Sequence, residues 1–335
     1  MLRLGWRLML IRQKKVGYFR TFATATNQPT SEILGRDSQT FILPDNRTLG
    51  FAEYGSSTGY PLMWFHGFPS SRLEGKGLDK LALKHNIRVI SPDRPSCGLS
   101  TIQPDRKIMH WPADVYALAN HLGISRFAVL GGSGGGPYAL ACAYTLPKDM
   151  LSAVGILAGA PPWIAGTKDI LLISRILARF SRTWPSGLLA LSDIIVKAAR
   201  HSFDNPRVME LMRRSLEQKA KADEKDIPVE ERRMRLIRTL MEGFAQGSEV
   251  IVHESRLLTG DWGFTFEDIK YDPIQVWHGT RDINAPISNI RYMVNHLPHA
   301  VLKEYDESHF TIHNHMEEIL LELMPLESKN YHKNA

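Results

Sequence analysis

Apolar and polar positions along this chain switch repeatedly between two periods. Residues 39–54, QTFILPDNRTLGFAEY, alternate partly around a Pro44-Asp45-Asn46 turn, which predicts an antiparallel hairpin. Short continuous apolar runs follow at 61–65, 87–93, 126–130, 151–159, 272–279 and 300–305, the pattern of strands buried on both faces. Between them, 72–85, 111–124, the stretch after Pro137, the stretch after Pro286 and 309–323 read as helices. Strands separated by helices predict an α/β fold: a mostly parallel central sheet, right-handed crossovers, and flanking helices. From 162 to 260 the alternation stops. That segment is mostly helical by period, with interruptions at Pro185, Pro206 and Pro228 and a charged stretch, KAKADEKD, at 219–226. It predicts a helical cap inserted between two parts of a core, 38–161 and 261–325, with a tail at 326–335 and no internal repeat.

Composition narrows the class only slightly. The chain has 335 residues, 43% hydrophobic and 23% charged, which suits a globular protein and excludes a disordered, collagen-like or coiled-coil whole. Cys97 and Cys142 are too few for a disulfide framework or a structural zinc cluster and read as buried small residues. The net charge of +6 matters once it is located. Residues 1–31 hold Arg3, Arg7, Arg12, Lys14, Lys15 and Arg20 and no acid; the remaining 35 basic residues balance 35 acids. A nucleic-acid footprint on the folded part therefore loses its main support.

The basic N-terminus has the composition of a mitochondrial transit peptide: arginine-rich, acid-free, Ser/Thr-rich toward its end, with Leu2, Trp6, Leu8, Met9 and Ile11 able to share one helical face. Arg20-Thr21-Phe22 before Ala23 resembles a matrix-processing site. The expectation is a transit peptide at 1–22, a flexible linker at 23–37, and a protein of the mitochondrial matrix. No transmembrane segment is expected, because the longest uncharged run, 127–147, carries Gly131, Gly132, Gly134, Gly135, Gly136 and Pro137. It reads as strand, glycine turn and helix, in a soluble chain.

That glycine turn carries the chemistry. Gly131-Gly132-Ser133-Gly134-Gly135 matches G-x-S-x-G, with an apolar strand before it and a helix after it. Such a turn needs little bulk on either side of the serine and aims the Gly134 N–H at a forming oxyanion. A phosphate loop would need a lysine, and here Pro137 and Tyr138 follow Gly136. A serine needs a base and an orienting acid. VWHGTRDINAP places Asp282 just past a strand, and KEYDESHF places His309 just past the last one. After the preceding strand, LAGAPPWIAGT supplies no carboxylate before Asp169, which leaves Asp282 as the acid. His309, His313 and His315 are spaced as helical neighbours, but H-E-x-x-H is absent, and no metal or cofactor is expected.

The order Ser133, Asp282, His309 resembles that of the α/β-hydrolase superfamily, with serine as nucleophile and a cap. The HGFP at 66–69 is similar to that family's oxyanion loop, which implies that the Phe68 N–H is the second oxyanion donor. SPDRPSCGLS at 91–100 resembles its D-R-P-G-x-G-x-S loop, with Ser96 where glycine is usual. The resemblance implies a serine hydrolase, carboxylesterase-like, cleaving an ester, amide or thioester of a small-molecule acyl substrate. Relatives using an aspartate at the elbow, epoxide hydrolases and haloalkane dehalogenases, are disfavoured by Ser133. An acyltransferase with the same triad and a non-catalytic scaffold stay open, because fold does not select among them. Asp93, His66 and His278 read as structural.

Overall fold

A computed structural model of the protein describes residues 35–325, other than 204, 206, 209 and 211–228. The expected transit peptide, most of the linker, the tail, Pro206, Pro228 and the charged stretch at 219–226 lie outside the described residues. The hairpin forms as β1 (Gln39–Ile42) and β2 (Thr48–Gly55), paired antiparallel across the Pro44-Asp45-Asn46 turn. Then come β3 (Tyr60–Phe65), β4 (Ile87–Pro92), β5 (Phe127–Gly132), β6 (Leu151–Leu157), β7 (Ile274–Gly279) and β8 (Ala300–Tyr305). They form one eight-stranded sheet in the order β1-β2-β4-β3-β5-β6-β7-β8, parallel from β4 onward.

Successive strand side chains face opposite sides of a sheet, and both sides here are apolar. Met63, Phe65, Phe127, Val129, Val154, Ile156 and Val276 bury one face under α2 (Trp111–His121), α3 (Gly136–Thr145) and α8 (Ile287–His296). Leu62, Trp64, Ala128, Leu130 and Trp277 bury the other under α1 (Asp79–Lys84) and α9 (Met316–Leu323). The segment between β6 and β7 holds α4 (Leu172–Thr183), α5 (Pro185–Phe203), α6 (Val229–Glu242) and α7 (Glu249–Leu258).

The helix break expected at Pro185 falls between α4 and α5, with Pro185 itself opening α5, since the first helical position needs no N–H donor. Two local expectations change. The stretch at 72–85 is a 3-10 helix over Arg72–Leu78 before α1 begins. The last helix does not start at His309. A 3-10 turn spans Thr311–His315 and α9 begins at Met316. Ser308 and Thr311 bond each other's backbone N–H groups (Thr311 Oγ1 from Ser308 N–H, 2.9 Å; Ser308 Oγ from Thr311 N–H, 3.3 Å), a reciprocal cap at the start of the 3-10 segment, with His309 in the turn it closes.

The strand order reverses between β3 and β5: the chain leaves β3 for β4 on one side and returns to β5 on the other. Ligands in open α/β sheets bind at such a switch point, outside the strands' carboxyl ends. The loops that leave those ends are 66–71 and the turn at Ser133, and the packing between them is tight. A Cβ on Gly135 would overlap the Phe65 carbonyl. Gly135→Ala should therefore cost about 3 kcal/mol or more. Gly77→Ala, where a Cβ meets nothing within 4 Å, should be neutral or stabilising by a few tenths of a kcal/mol. Urea unfolding of the two variants checks the contrast.

Candidate active site

Ser133 follows the last residue of β5 and opens a 3-10 turn that runs directly into α3, with Pro137 in the first turn of that helix. Its φ is +50°, the left-handed region that costs a residue with a Cβ roughly 1–2 kcal/mol. Neighbouring glycines make the turn possible: a Cβ on Gly131 would lie 2.5 Å from the Gly135 carbonyl oxygen, and one on Gly132 would lie 2.7 Å from the Trp64 ring. The Ser133 carbonyl is fixed from both sides, accepting from the N–H groups of Gly136 and Ala160 (the latter at 2.8 Å).

Asp282 lies in the loop after β7 and His309 in the loop after β8. The structure brings both to Ser133. The Ser133 hydroxyl donates to His309 Nε2 at 3.0 Å, and His309 Nδ1–H donates to Asp282 Oδ2 at 2.6 Å. The Asp282 carboxylate is buried and otherwise held by the N–H groups of Asn284 and Ala285, both 2.9 Å from Oδ1. It can only accept, so it sets the Nδ1–H tautomer and leaves Nε2 to accept from the serine. Asp169, the other acid weighed, bonds Ser288 Oγ at 2.8 Å and takes no part.

The HGFP loop lies against the same turn. A Cβ on Gly134 would come within 3.3 Å of the Phe68 nitrogen, and one on Gly67 within 3.3 Å of Ser133 Cβ. Gly134 sits in the first turn after the strand, where N–H groups have no intrahelical partner. His66 shapes this loop: Nδ1–H donates to the Gly67 carbonyl at 2.8 Å, and Nε2 accepts from the Arg94 N–H at 3.2 Å. Burial holds the ring neutral, far below the ordinary histidine pKa. His278 likewise is buried and donates Nε2–H to the Ala285 carbonyl at 2.8 Å. His315 turns away to Glu307 and Glu318 (3.4 and 3.5 Å). Among the described residues no group of three or more His, Cys, Asp or Glu side chains could hold a metal ion. Cys97 and Cys142 are buried, and burial pushes the Cys97 thiol up to about 12.

The loop after β4 carries Ser96 in the left-handed conformation that glycine takes without strain. Ser96 adopts φ +72°, and buried Asp93 accepts from Arg72 N–H (2.6 Å), Arg72 Nη1 (2.9 Å) and Leu99 N–H (2.8 Å). Ser96→Gly should relieve the left-handed strain and raise stability by about 1 kcal/mol in urea titrations.

Sequence reasoning missed the charges beneath the site. Arg94 donates to the carbonyls of His66 and Gly67 and, at 3.0 Å, to Glu254 of α7. Glu254 also accepts from Arg106 and from the Tyr138 hydroxyl at 2.8 Å, and all four side chains are buried. Glu74 accepts from the Gly67 N–H with both oxygens at 3.1 Å, and burial pushes its carboxyl up. The segment between β6 and β7 is thereby fastened to the loops that form the site, as it is through Arg72–Glu242 at 2.6 Å and Gln246 Nε2–H to the Gly98 carbonyl at 2.9 Å. Glu254 is separated from Arg94 by 160 residues and from Arg106 by 148, so no local spacing could signal the cluster.

Burial alone would raise the Glu254 pKa, but the two guanidinium charges outweigh it and hold the carboxyl at about 2, against an ordinary 4.5. Its contribution to stability is thus fully present above about pH 4.5 and is lost as pH falls toward 2. Glu254→Ala, which leaves two buried arginines without their counter-charge, should cost about 3–5 kcal/mol at pH 7 and less in acid. Urea unfolding of both proteins across that pH range measures it.

A family model described as "alpha/beta hydrolase fold" matches residues 60–315. A proline iminopeptidase of Xanthomonas citri is 31% identical over 159 residues, 46% of this chain and 44% of the relative. The chain spans less than half the length of the curated relatives it matches. Among solved structures, a hydrolase from Pseudomonas aeruginosa PA01 superposes with a TM-score of 0.59 at 17% identity, covering 86% of this chain and 98% of that one. An esterase from Exiguobacterium antarcticum does so with 0.57 at 16% identity, over 85% and 98%. Identities this low speak for the fold alone.

Proposed function

The chain belongs to the alpha/beta hydrolase fold family, and from that membership we propose that it is a serine hydrolase cleaving an acyl ester, amide or thioester of a small to medium substrate. One observation carries the reading: the continuous hydrogen-bond chain from the Ser133 hydroxyl through His309 to buried Asp282. His309 Nε2 takes the serine proton as Oγ attacks the acyl carbon. Negative charge then collects on the former carbonyl oxygen, and the N–H groups of Phe68 and Gly134 stabilise it. Asp282 supports the positive imidazole, which next protonates the leaving group. Water, deprotonated by the same imidazole, releases the acyl group and restores Ser133. Each oxyanion donor in comparable sites is worth roughly 100- to 1,000-fold in rate.

Ile283 and Phe310, next in sequence to Asp282 and His309, are exposed apolar side chains on the two loops that carry the site, which favours an apolar acyl group over a charged one. The curated relatives bring one amide class, N-terminal proline substrates, into the panel. Localisation in the mitochondrial matrix is proposed from the acid-free basic stretch of the N-terminus alone.

Ser133→Ala should abolish labelling by a fluorophosphonate probe and lower p-nitrophenyl butyrate hydrolysis by at least about 1,000-fold, with unchanged circular dichroism. Wild-type protein that neither labels nor turns over a panel of ester, thioester and proline anilide substrates would instead be a binding scaffold. Product analysis with added alcohols or amines separates hydrolysis from acyl transfer.

A further inference from the structure

The first two helices between β6 and β7 turn the usual amphipathic pattern outward. α4 faces the protein with Ser174, Ala178 and Ser181, and presents Leu172, Ile173, Ile176 and Phe180 to the outside. On α5, Ser192 and Val196 face inward while Leu191, Ile194 and Ile195 are exposed. Trp184, 60% exposed, bridges the two helices, its ring 6.3 Å from that of Phe180. A Cβ on Gly187 would overlap the Trp184 ring, so the indole lies flat against the start of α5. A contiguous apolar surface of this kind marks an interaction site.

Charge selects the occupant. Arg175, Arg179 and Arg182 run along one flank of the α4 stripe, and Lys197 and Arg200 are exposed on α5. Among the described residues Arg175, Arg179 and Lys197 have no acidic partner. A second copy docked through the same face would bring like charges together. The N-terminal stretch, basic and without an acid up to residue 31, is repelled on the same ground. Aromatic and branched apolar side chains beside an arginine row are instead what an interfacial helix presents to anionic lipid headgroups, apolar face down.

The face also adjoins the site. Arg182 donates to the Thr259 carbonyl at 2.7 Å, and the preceding residue, Leu258, would lie 3.2 Å from a Cβ on Gly134. We propose that the outward face of α4 and α5 docks on an anionic lipid surface, so that the acyl compounds reaching Ser133 are amphiphiles drawn from that surface. The docking stands on the exposed face itself; the substrate class rests on the serine-hydrolase reading.

Sedimentation of the full chain with vesicles of equimolar phosphatidylcholine and phosphatidylglycerol tests the docking. Ser133→Ala protein should bind as wild type does. Added salt or pure phosphatidylcholine should weaken binding. Arg175→Glu with Arg179→Glu, and separately Ile176→Ser with Phe180→Ser, should each lower the partition coefficient by at least about tenfold. Both variants should hydrolyse soluble p-nitrophenyl butyrate at the wild-type rate, which shows that they fold, and should lose hydrolysis of a long-chain ester dispersed in the anionic vesicles. Docking is overturned by absence of vesicle binding, by variants that bind like wild type (the basic N-terminus then being the lipid contact), or by a dimer that the same substitutions dissociate. Vesicle binding without any ester hydrolysis would spare the docking and sink the serine-hydrolase reading. Unchanged hydrolysis of the dispersed ester by non-binding variants would sink the substrate class.

Discussion

Two stretches of backbone cross at the carboxyl end of the sheet with no room for side chains between them. The exit of β3 through Phe65, His66 and Gly67 presses against the turn Gly131–Gly135 so closely that side chains at Gly131, Gly132 or Gly135 would collide with the Gly135 or Phe65 carbonyls or the Trp64 ring. That crowding holds Ser133 at φ +50° and keeps the Phe68 nitrogen beside Gly134. Strain of this kind persists only where the surroundings over-determine it, and here β3, β5 and β6 all pin the turn. A serine in the left-handed region projects its hydroxyl away from the sheet, toward the loops after β7 and β8. The hydrogen bonds to His309 and through it to Asp282 follow from that projection.

The crossing leaves carbonyls that point away from the chemistry and still need donors. Arg94 meets two of them, those of His66 and Gly67, with a planar fork that also reaches Glu254. Burying a guanidinium there calls for a counter-charge. Glu254 supplies it from a helix far along the chain, shared with Arg106 and backed by Tyr138. An anchor that holds the loop at 66–69 thus also fastens α7 against it. Charge pairs and hydrogen bonds fasten the segment between β6 and β7 alongside its apolar contacts, which are a small cluster of Cys97, Val196, Phe244 and Val250 and the main core that Trp262, Phe266, Ile269 and Tyr271 join.

What could be read from the linear chain had local causes. The hairpin, the buried strands and the strand–turn–helix around Ser133 are written in periodicity and in glycines, which act within a few residues. Asp282 and His309 were legible because each follows a strand that the pattern already marked. Pro185 marked a helix break because a helix interior does not accept proline while a first turn does, and Trp184 alone separates α4 from α5. The turn that holds His309 is closed by Ser308 and Thr311, whose side chains cap each other's N–H groups ahead of the 3-10 segment. Glu254, Arg106 and Glu74 carry no local signature. Their roles exist only after the sheet has gathered distant loops.

The outward apolar face of α4 follows from the same economy of contacts. Its inward positions, Ser174, Ala178 and Ser181, are small, so the helix lies close to α7, and Arg256 reaches the Ser181 carbonyl. Close approach through small residues leaves little inward room, which Leu177 takes half-buried, and Ile173, Ile176 and Phe180 are turned out by the 3.6-residue period. The close packing that holds α7 beside the Ser133 turn is therefore the packing that exposes the bulky face of α4. The apolar face is a consequence of how the site is closed, and whatever covers it adjoins the closure.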